Sequence, residues 1–221
     1  MRIYLCGAVV LVLSTLIPAQ QSPVSLEEEP HHHLLLKNES VIVVRVKLLP
    51  GESTLFHTHL CDRITIDLTN ATITRQKLGE ADSAPEVTKP GDVAALESNG
   101  PYTHRVHNAG TVDFEALDVE LLHRPTNASG PAAGKVEAEN PSARVYKWTL
   151  APGATSAMHT HERPYLIISA TPLVLKMTDP EGKSFTHEVK AGDVHWVDAK
   201  VTHSLANEGT TVGQIVEIEL K

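Results

Sequence analysis

One histidine pattern occurs twice in this 221-residue chain, and the repetition decides its organisation before any element is assigned. Pro50 and Gly51 precede His57-Thr58-His59, and His104 and Asn108 follow. Pro152 and Gly153 precede His159-Thr160-His161, and His203 and Asn207 follow. Asn38 and Ser40 recur as Asn140 and Ser142 at the same offset as the H-x-H pairs. Gly91-Asp92-Val93 recurs as Gly192-Asp193-Val194, and Gly110, Thr111, Glu120 and Leu121 as Gly209, Thr210, Glu219 and Leu220, at slightly shorter offsets. A repeat this long reads as two similar domains in tandem, because a solenoid unit is much shorter.

Strand side chains alternate, so each H-x-H pair places two imidazoles on one face of a strand. A third histidine arriving later in each copy completes the kind of facial ligand set that metals take on a β-scaffold. The rest of the chain also reads as strands. Val41 to Leu49 is β-branched and apolar, Ile64 to Leu68 and Ala116 to Leu122 alternate, and Leu166 to Leu175 and Val212 to Leu220 are further candidates. Turn clusters such as Lys89-Pro90-Gly91-Asp92 and Asp179-Pro180-Glu181-Gly182 punctuate them. This pattern predicts an all-β sandwich or barrel.

The net charge of -8 argues against a nucleic-acid partner. The 13 histidines point instead to metal. Residues 1–19 read as a signal peptide: Arg2 is the charged start, Ile3 to Ile17 the apolar core and Ala19 the cleavage position. This predicts a periplasmic or secreted protein with no stable membrane insertion after cleavage. Cleavage would leave Cys61 as the only cysteine, with no intrachain disulfide. Residues 20–37, with Glu27-Glu28-Glu29 and His31-His32-His33, are expected as a solvated linker, and residues 124–139 as the linker between domains.

The two copies resemble the cupin superfamily. Its first motif, a Gly followed after five residues by H-x-H, is matched by Gly51 to His57 and Gly153 to His159. Its second motif, ending in His-x-x-x-Asn, is matched by Gly192, His203 and Asn207, and by Gly91, His104 and Asn108 with two extra residues. The resemblance implies two tandem jelly-roll barrels (double-stranded β-helices), over residues 38–123 and 140–221, each with a metal near its centre. Two features depart from the pattern. The family's metal-binding Glu position holds Arg63 or Ile64 in the first copy and Tyr165 or Leu166 in the second. Asp198 and Lys200 replace the Pro and Gly of P-x-G.

The candidate metal ligands are therefore His57, His59 and His104, with Asp62 or water completing the set, and His159, His161 and His203. Nitrogen ligands suit Fe, Zn, Mn, Ni or Cu. Cys61 shares the parity of His57 and His59 and could add a soft ligand; a small buried residue is the plainer reading. Arg63, on the same parity, could pair with a substrate carboxylate or cap the barrel rim. Tyr165 could donate to a metal-bound ligand or simply pack. His107 has the opposite parity and should face out. With Asp62 and Cys61 close by, the first site is expected to bind metal more tightly than the second. Two functions remain open: a metal-dependent dioxygenase or related oxidoreductase acting on a small molecule, and a non-catalytic cupin that binds a small molecule or the metal itself. A homodimer is compatible with either.

Overall fold

A computed structural model describes residues 22–125, 132–198 and 200–221; the expected signal segment lies outside them. The first barrel comprises β1 (Val24–Ser25), β2 (His32–Lys37), β3 (Val41–Leu48), β4 (His57–His59), β5 (Asp62–Asp67), β6 (Thr72–Lys77), β7 (Glu86–Val87), β8 (Val93–Leu96), β9 (Tyr102–Asn108) and β10 (Phe114–Leu121). The second comprises β11 (Val136–Glu139), β12 (Ala143–Leu150), β13 (His159–His161), β14 (Tyr165–Ser169), β15 (Leu173–Thr178), β16 (Ser184–Val189), β17 (Val194–Val197), β18 (Val201–Asn207) and β19 (Gly213–Leu220). A single 3-10 turn, Leu26–Glu28, interrupts the strands among the described residues. None of the described helices is long and apolar enough to cross a membrane.

Each barrel is two facing sheets. In the first they run β1-β4-β9-β6-β7 and β2-β3-β10-β5-β8; in the second, β13-β18-β15-β16 and β11-β12-β19-β14-β17. The metal-motif strands pair in the same register in both. His57 lies opposite His104, and His159 opposite His203. Asn108 and Asn207 close the equivalent turns. Each amide donates to two carbonyls (Leu48 and Val112; Leu150 and Thr211) and accepts from the amide two residues on, Gly110 or Gly209. Both side chains are fully buried, so each satisfies three backbone groups that water cannot reach.

The barrels pack back to back. Val41, Val43, Ile64, Ile66, Leu117 and Val119 on the outer face of the first form one core with Ala143, Val145, Leu166, Ile168, Val216 and Ile218 on the second. The barrel interiors are separate cores, around Val46, Leu48, Ile73 and Phe114, and around Leu150, Ile167, Leu205 and Ile215. The strands at the junction are therefore buried on both faces. One repeated glycine pair, Gly91 and Gly192, sits at this junction too. Gly192 has φ +80, and a Cβ there would collide with the Arg45 guanidinium, which donates to the Ala191 carbonyl at 2.8 Å.

Two parts of the expected layout change. Residues 24–37 are barrel, not solvated linker: β1 runs parallel to β4, with Val24 opposite His57, and β2 pairs with β3. Glu29 is buried and accepts from the amides of His31 and Leu55 at 2.7 and 3.0 Å. β11 likewise begins the second barrel inside the expected 124–139 linker, pairing with β12.

Asp62 is the other correction. Its parity is opposite to that of His57 and His59, and its carboxylate turns away from them to join the barrels. It accepts from the Ser142 hydroxyl at 2.6 Å, the Ser98 amide at 2.7 Å and the Arg124 guanidinium. Asn140 of the second barrel donates to the Arg63 and Leu96 carbonyls of the first, both at 3.2 Å. Burial raises the Asp62 carboxyl, but these hydrogen bonds outweigh it and hold the pKa below 3.8. A folded pKa below the unfolded one stabilises above the unfolded value and loses that contribution as pH falls through the folded one. Asp62→Ala should therefore cost about 3 kcal/mol at pH 7, a gap that closes in acid, with metal content unchanged. Denaturant unfolding at several pH values, with elemental analysis of the same samples, measures both.

Candidate metal centres

The odd-numbered residues from His57 to Asp67 all line one cavity of about 720 Å³ in the first barrel, so strand parity holds through β4 and β5. His57, His59 and His104 come together there, with candidate ligand atoms within 4.8 Å of one another. The His57 Nδ1 lies 3.0 Å from the Leu55 carbonyl, which can only accept, so the proton sits on Nδ1 and Nε2 is bare. His59 Nδ1 meets the Glu120 carboxylate at 2.6 Å, and its Nε2 stands 2.9 Å from His104 Nε2. Burial holds His57 and His59 down to about 4 and pushes His104 lower still. The three imidazoles are neutral at pH 7, which is the ligating form.

The carboxylates of the first barrel stand to one side. Asp118 lies 3.9 Å from His59 Nδ1 and 3.8 Å from Arg63 Nε, and Glu120 is bound to the same Nδ1. Both touch the back of His59 rather than its ligating nitrogen. Arg63 occupies the family's carboxylate position and sits 5.0 Å from the centre of the Tyr102 ring. Cys61 faces the cavity as its parity requires. Burial, with the Glu120 carboxylate beside it, pushes its thiol above 9.0, so it stays protonated at neutral pH. His32, brought in by β2, packs against His57 with ring centres 4.6 Å apart. His107 points out and bonds Ser53 at 2.9 Å.

The second barrel brings a fourth candidate ligand to its histidines. His159, His161, His203 and Glu217 converge, all buried. Glu217 Oε2 lies 3.1 Å from His159 Nε2 and 3.3 Å from His161 Nε2; Oε1 lies 3.1 Å from His203 Nε2. His159 repeats the tautomer lock, with Nδ1 2.9 Å from the Ala157 carbonyl. Trp148 stacks on His159 and donates to Glu217 at 2.6 Å. Behind His161, Glu219 stands 3.7 Å from Nδ1 and accepts from the Tyr146 hydroxyl at 2.9 Å.

This set fits a divalent transition metal. Although these atoms are 3.1–3.3 Å apart, His161 Nε2, His203 Nε2 and Glu217 Oε1 have no hydrogen-bond partner of acceptable geometry. Leaving such atoms buried and unmet costs about 1–3 kcal/mol each. Ligands with bonds of about 2.0–2.1 Å to one ion stand roughly 2.9–3.4 Å apart, which is the spacing here. Burial raises Glu217, but the three imidazoles within 3.1–3.3 Å of its carboxylate outweigh it and hold it well below 4.5. Burial lowers His161, but Glu217 and Glu219 outweigh it and raise it to about 9.

The repeat places Asp118 where the second barrel has Glu217, and the shorter side chain leaves the first site without its fourth ligand. The geometry argues for the reverse of the expected order of affinities. Glu217 itself escaped the sequence reading, although the Glu120–Glu219 match two residues on marked the strand. In a chelator titration, the 159/161/203/217 site should keep its metal at concentrations that empty the 57/59/104 site. His104→Ala and His203→Ala variants isolate the two. Asp118→Glu should raise the affinity of the first site at least tenfold; no gain would show that side-chain length is not the cause.

Comparison with known proteins agrees with this architecture. The beta-alanine degradation protein BauB of Pseudomonas aeruginosa is 31% identical over 90 residues, which span 41% of this chain and 94% of that protein. AerE from Microcystis aeruginosa superposes with a TM-score of 0.56 at 12% identity, covering 87% of this chain and 98% of its own. Salicylate 1,2-dioxygenase from Pseudoaminobacter salicylatoxidans superposes at 0.54 and 11% identity, over 85% of this chain and 75% of its own. At such identities the two structures speak to the fold alone. No family model matches the chain.

Proposed function

The chain belongs to the cupin superfamily, and on that premise we propose that it is a metal-dependent oxidoreductase of the dioxygenase type, acting on a small molecule from its second barrel. The observation that carries the reading is the convergence of His159, His161, His203 and Glu217, in which the buried His161 Nε2, His203 Nε2 and Glu217 Oε1 have no hydrogen-bond partner. A redox-active ion held there would supply an acid centre for polarising a bound oxygen donor and an electron source for oxygen chemistry. Four protein ligands leave positions free on an ion that takes five or six.

The surrounding residues have separable tasks. The Ala157 carbonyl fixes the His159 tautomer and Glu219 backs His161, so the ligating nitrogens are aimed before any ion arrives. Trp148 covers Glu217 and limits water at the carboxylate. Of the four ligands, His203 alone borders the barrel's cavity, so substrate would approach from its side. The non-catalytic binding reading applies better to the first barrel, where Asp118 falls short of the imidazoles. Export belongs to the same proposal; it rests on residues 1–19, and N-terminal sequencing of the mature protein tests it.

Anaerobic loading of the full chain with Fe(II), followed by nitric oxide, tests the catalytic reading. A paramagnetic iron nitrosyl signal that disappears in Glu217→Ala or His203→Ala, and survives in His104→Ala, is the expected result. Iron uptake without a nitrosyl would mean a closed site and overturn it.

A further inference from the structure

Each of the four sheets ends in two edge strands, and an edge offers its N–H and C=O groups to any strand that can reach them. Among the described residues, all but one of these edges are blunted. β1 and β7 are two residues long, β13 three, and β8 and β17 four. β2 and β11 each carry a break in register. The exception is β16. It runs for six residues in unbroken register with β15, contains no proline, and is exposed on both faces from Ser184 to Glu188. Its counterpart in the first barrel, β7, is cut to Glu86–Val87 between Pro85 and Pro90. Glu188 is the only formally charged residue of β16. Phe185 is 52% exposed and meets His187 edge-on, with ring centres 5.4 Å apart. Both line the second barrel's cavity, about 600 Å³ with a mostly apolar wall that includes Ile167, Leu175 and Ile215.

The hairpin fixes which backbone groups of β16 are free. The Asp179 N–H donates to the Lys183 carbonyl at 3.0 Å. Antiparallel bonding alternates from there, so Phe185, His187 and Val189 bond to β15. Ser184, Thr186 and Glu188 turn their N–H and C=O groups to the open edge. The other side of β15 agrees: Val174, opposite Glu188, accepts from the Glu208 amide at 2.8 Å.

We propose that β16 is the interface of a homodimer, in which two copies pair antiparallel about a two-fold axis at Thr186 and join their sheets into one. Thr186 then faces the partner's Thr186, and Ser184 faces the partner's Glu188. This register gives every outward N–H and C=O of the strand a partner; a shift by one residue in its centre leaves some unmet. Phe185 falls opposite the partner's His187 as a close, non-hydrogen-bonded pair, which favours aromatic contact. No like charges meet, since Lys183 and Lys190 fall opposite the partner's Val189 and Gly182. The contact is the same patch on both copies, and the remaining edges are blunted, so association stops at two. The partner's Phe185 thereby joins His187 beside the second cavity. This interface is independent of the metal reading.

Sedimentation equilibrium of the full chain over a range of concentrations tests it. Wild type should show twice the monomer mass. Thr186→Pro removes an outward donor without touching a bond to β15, and should weaken association at least tenfold with the monomer's thermal midpoint kept. Phe185→Lys, a charge on the cavity side of the edge, should weaken it too. Cross-linking reads the register, in a Cys6→Ser, Cys61→Ser background. The paired Thr186 Cα atoms would stand about 5.5 Å apart, within disulfide reach, and the two Ser184 Cα atoms roughly 14 Å apart. Mild oxidation should therefore convert Thr186→Cys, and not Ser184→Cys, to a covalent dimer. A wild-type chain that stays monomeric, a dimer undiminished in both Thr186→Pro and Phe185→Lys, or equal cross-linking at the two positions would overturn the inference.

Discussion

A single buried carboxylate organises the second half of this protein. Glu217 is fully enclosed and stays ionised because His161, raised to about 9, stands beside it and the Trp148 indole donates to it, with His159 and His203 on either side. A charge so placed would be prohibitively costly without partners, so the strands carrying His159, His161 and His203 are held in register with β19 by more than apolar packing. The same arrangement leaves several ligating atoms unmet, a strain that a cation removes. Structure and metal affinity come from one cluster.

The first barrel shows what happens when that carboxylate is shortened. Asp118 holds the equivalent position, pairs with Arg63 and His59, and leaves three neutral imidazoles facing one another. With Arg63 where the family has its acid, the cavity becomes charged and self-paired. The second became apolar, with Tyr165 at the equivalent position. Duplication thus produced two barrels of one shape and opposite chemistry. Their fixed relation depends on Asp62, Asn140 and Arg45, which bond across the junction.

Much of this was legible in the chain itself. The repeat predicted two barrels, and period-two alternation placed His57, His59, Cys61 and Arg63 on one inner face. Alternation failed at β19 for a physical reason. In Val216-Glu217-Ile218-Glu219 the apolar residues are expected to face the core and the acids to face water. Here the outer face packs against the other barrel, so Val216 and Ile218 point out into the junction and the acids point in. Nothing within one repeat announces that its outer face will be covered. Residues 24–37 were missed because a strand that joins a sheet through backbone bonds needs no apolar alternation of its own. Asp62 was misplaced because nearness in sequence outweighed the parity that already set it on the other face.

The most direct measurement of the central claim is anomalous diffraction from crystals grown with one equivalent of a transition metal, recorded at that metal's absorption edge. The account predicts a dominant peak bonded at about 2.0–2.2 Å to the Nε2 atoms of His159, His161 and His203 and to the Glu217 carboxylate, with weaker density among His57, His59 and His104. A dominant peak in the first barrel, or an ion in the second that leaves Glu217 unbound, would contradict it.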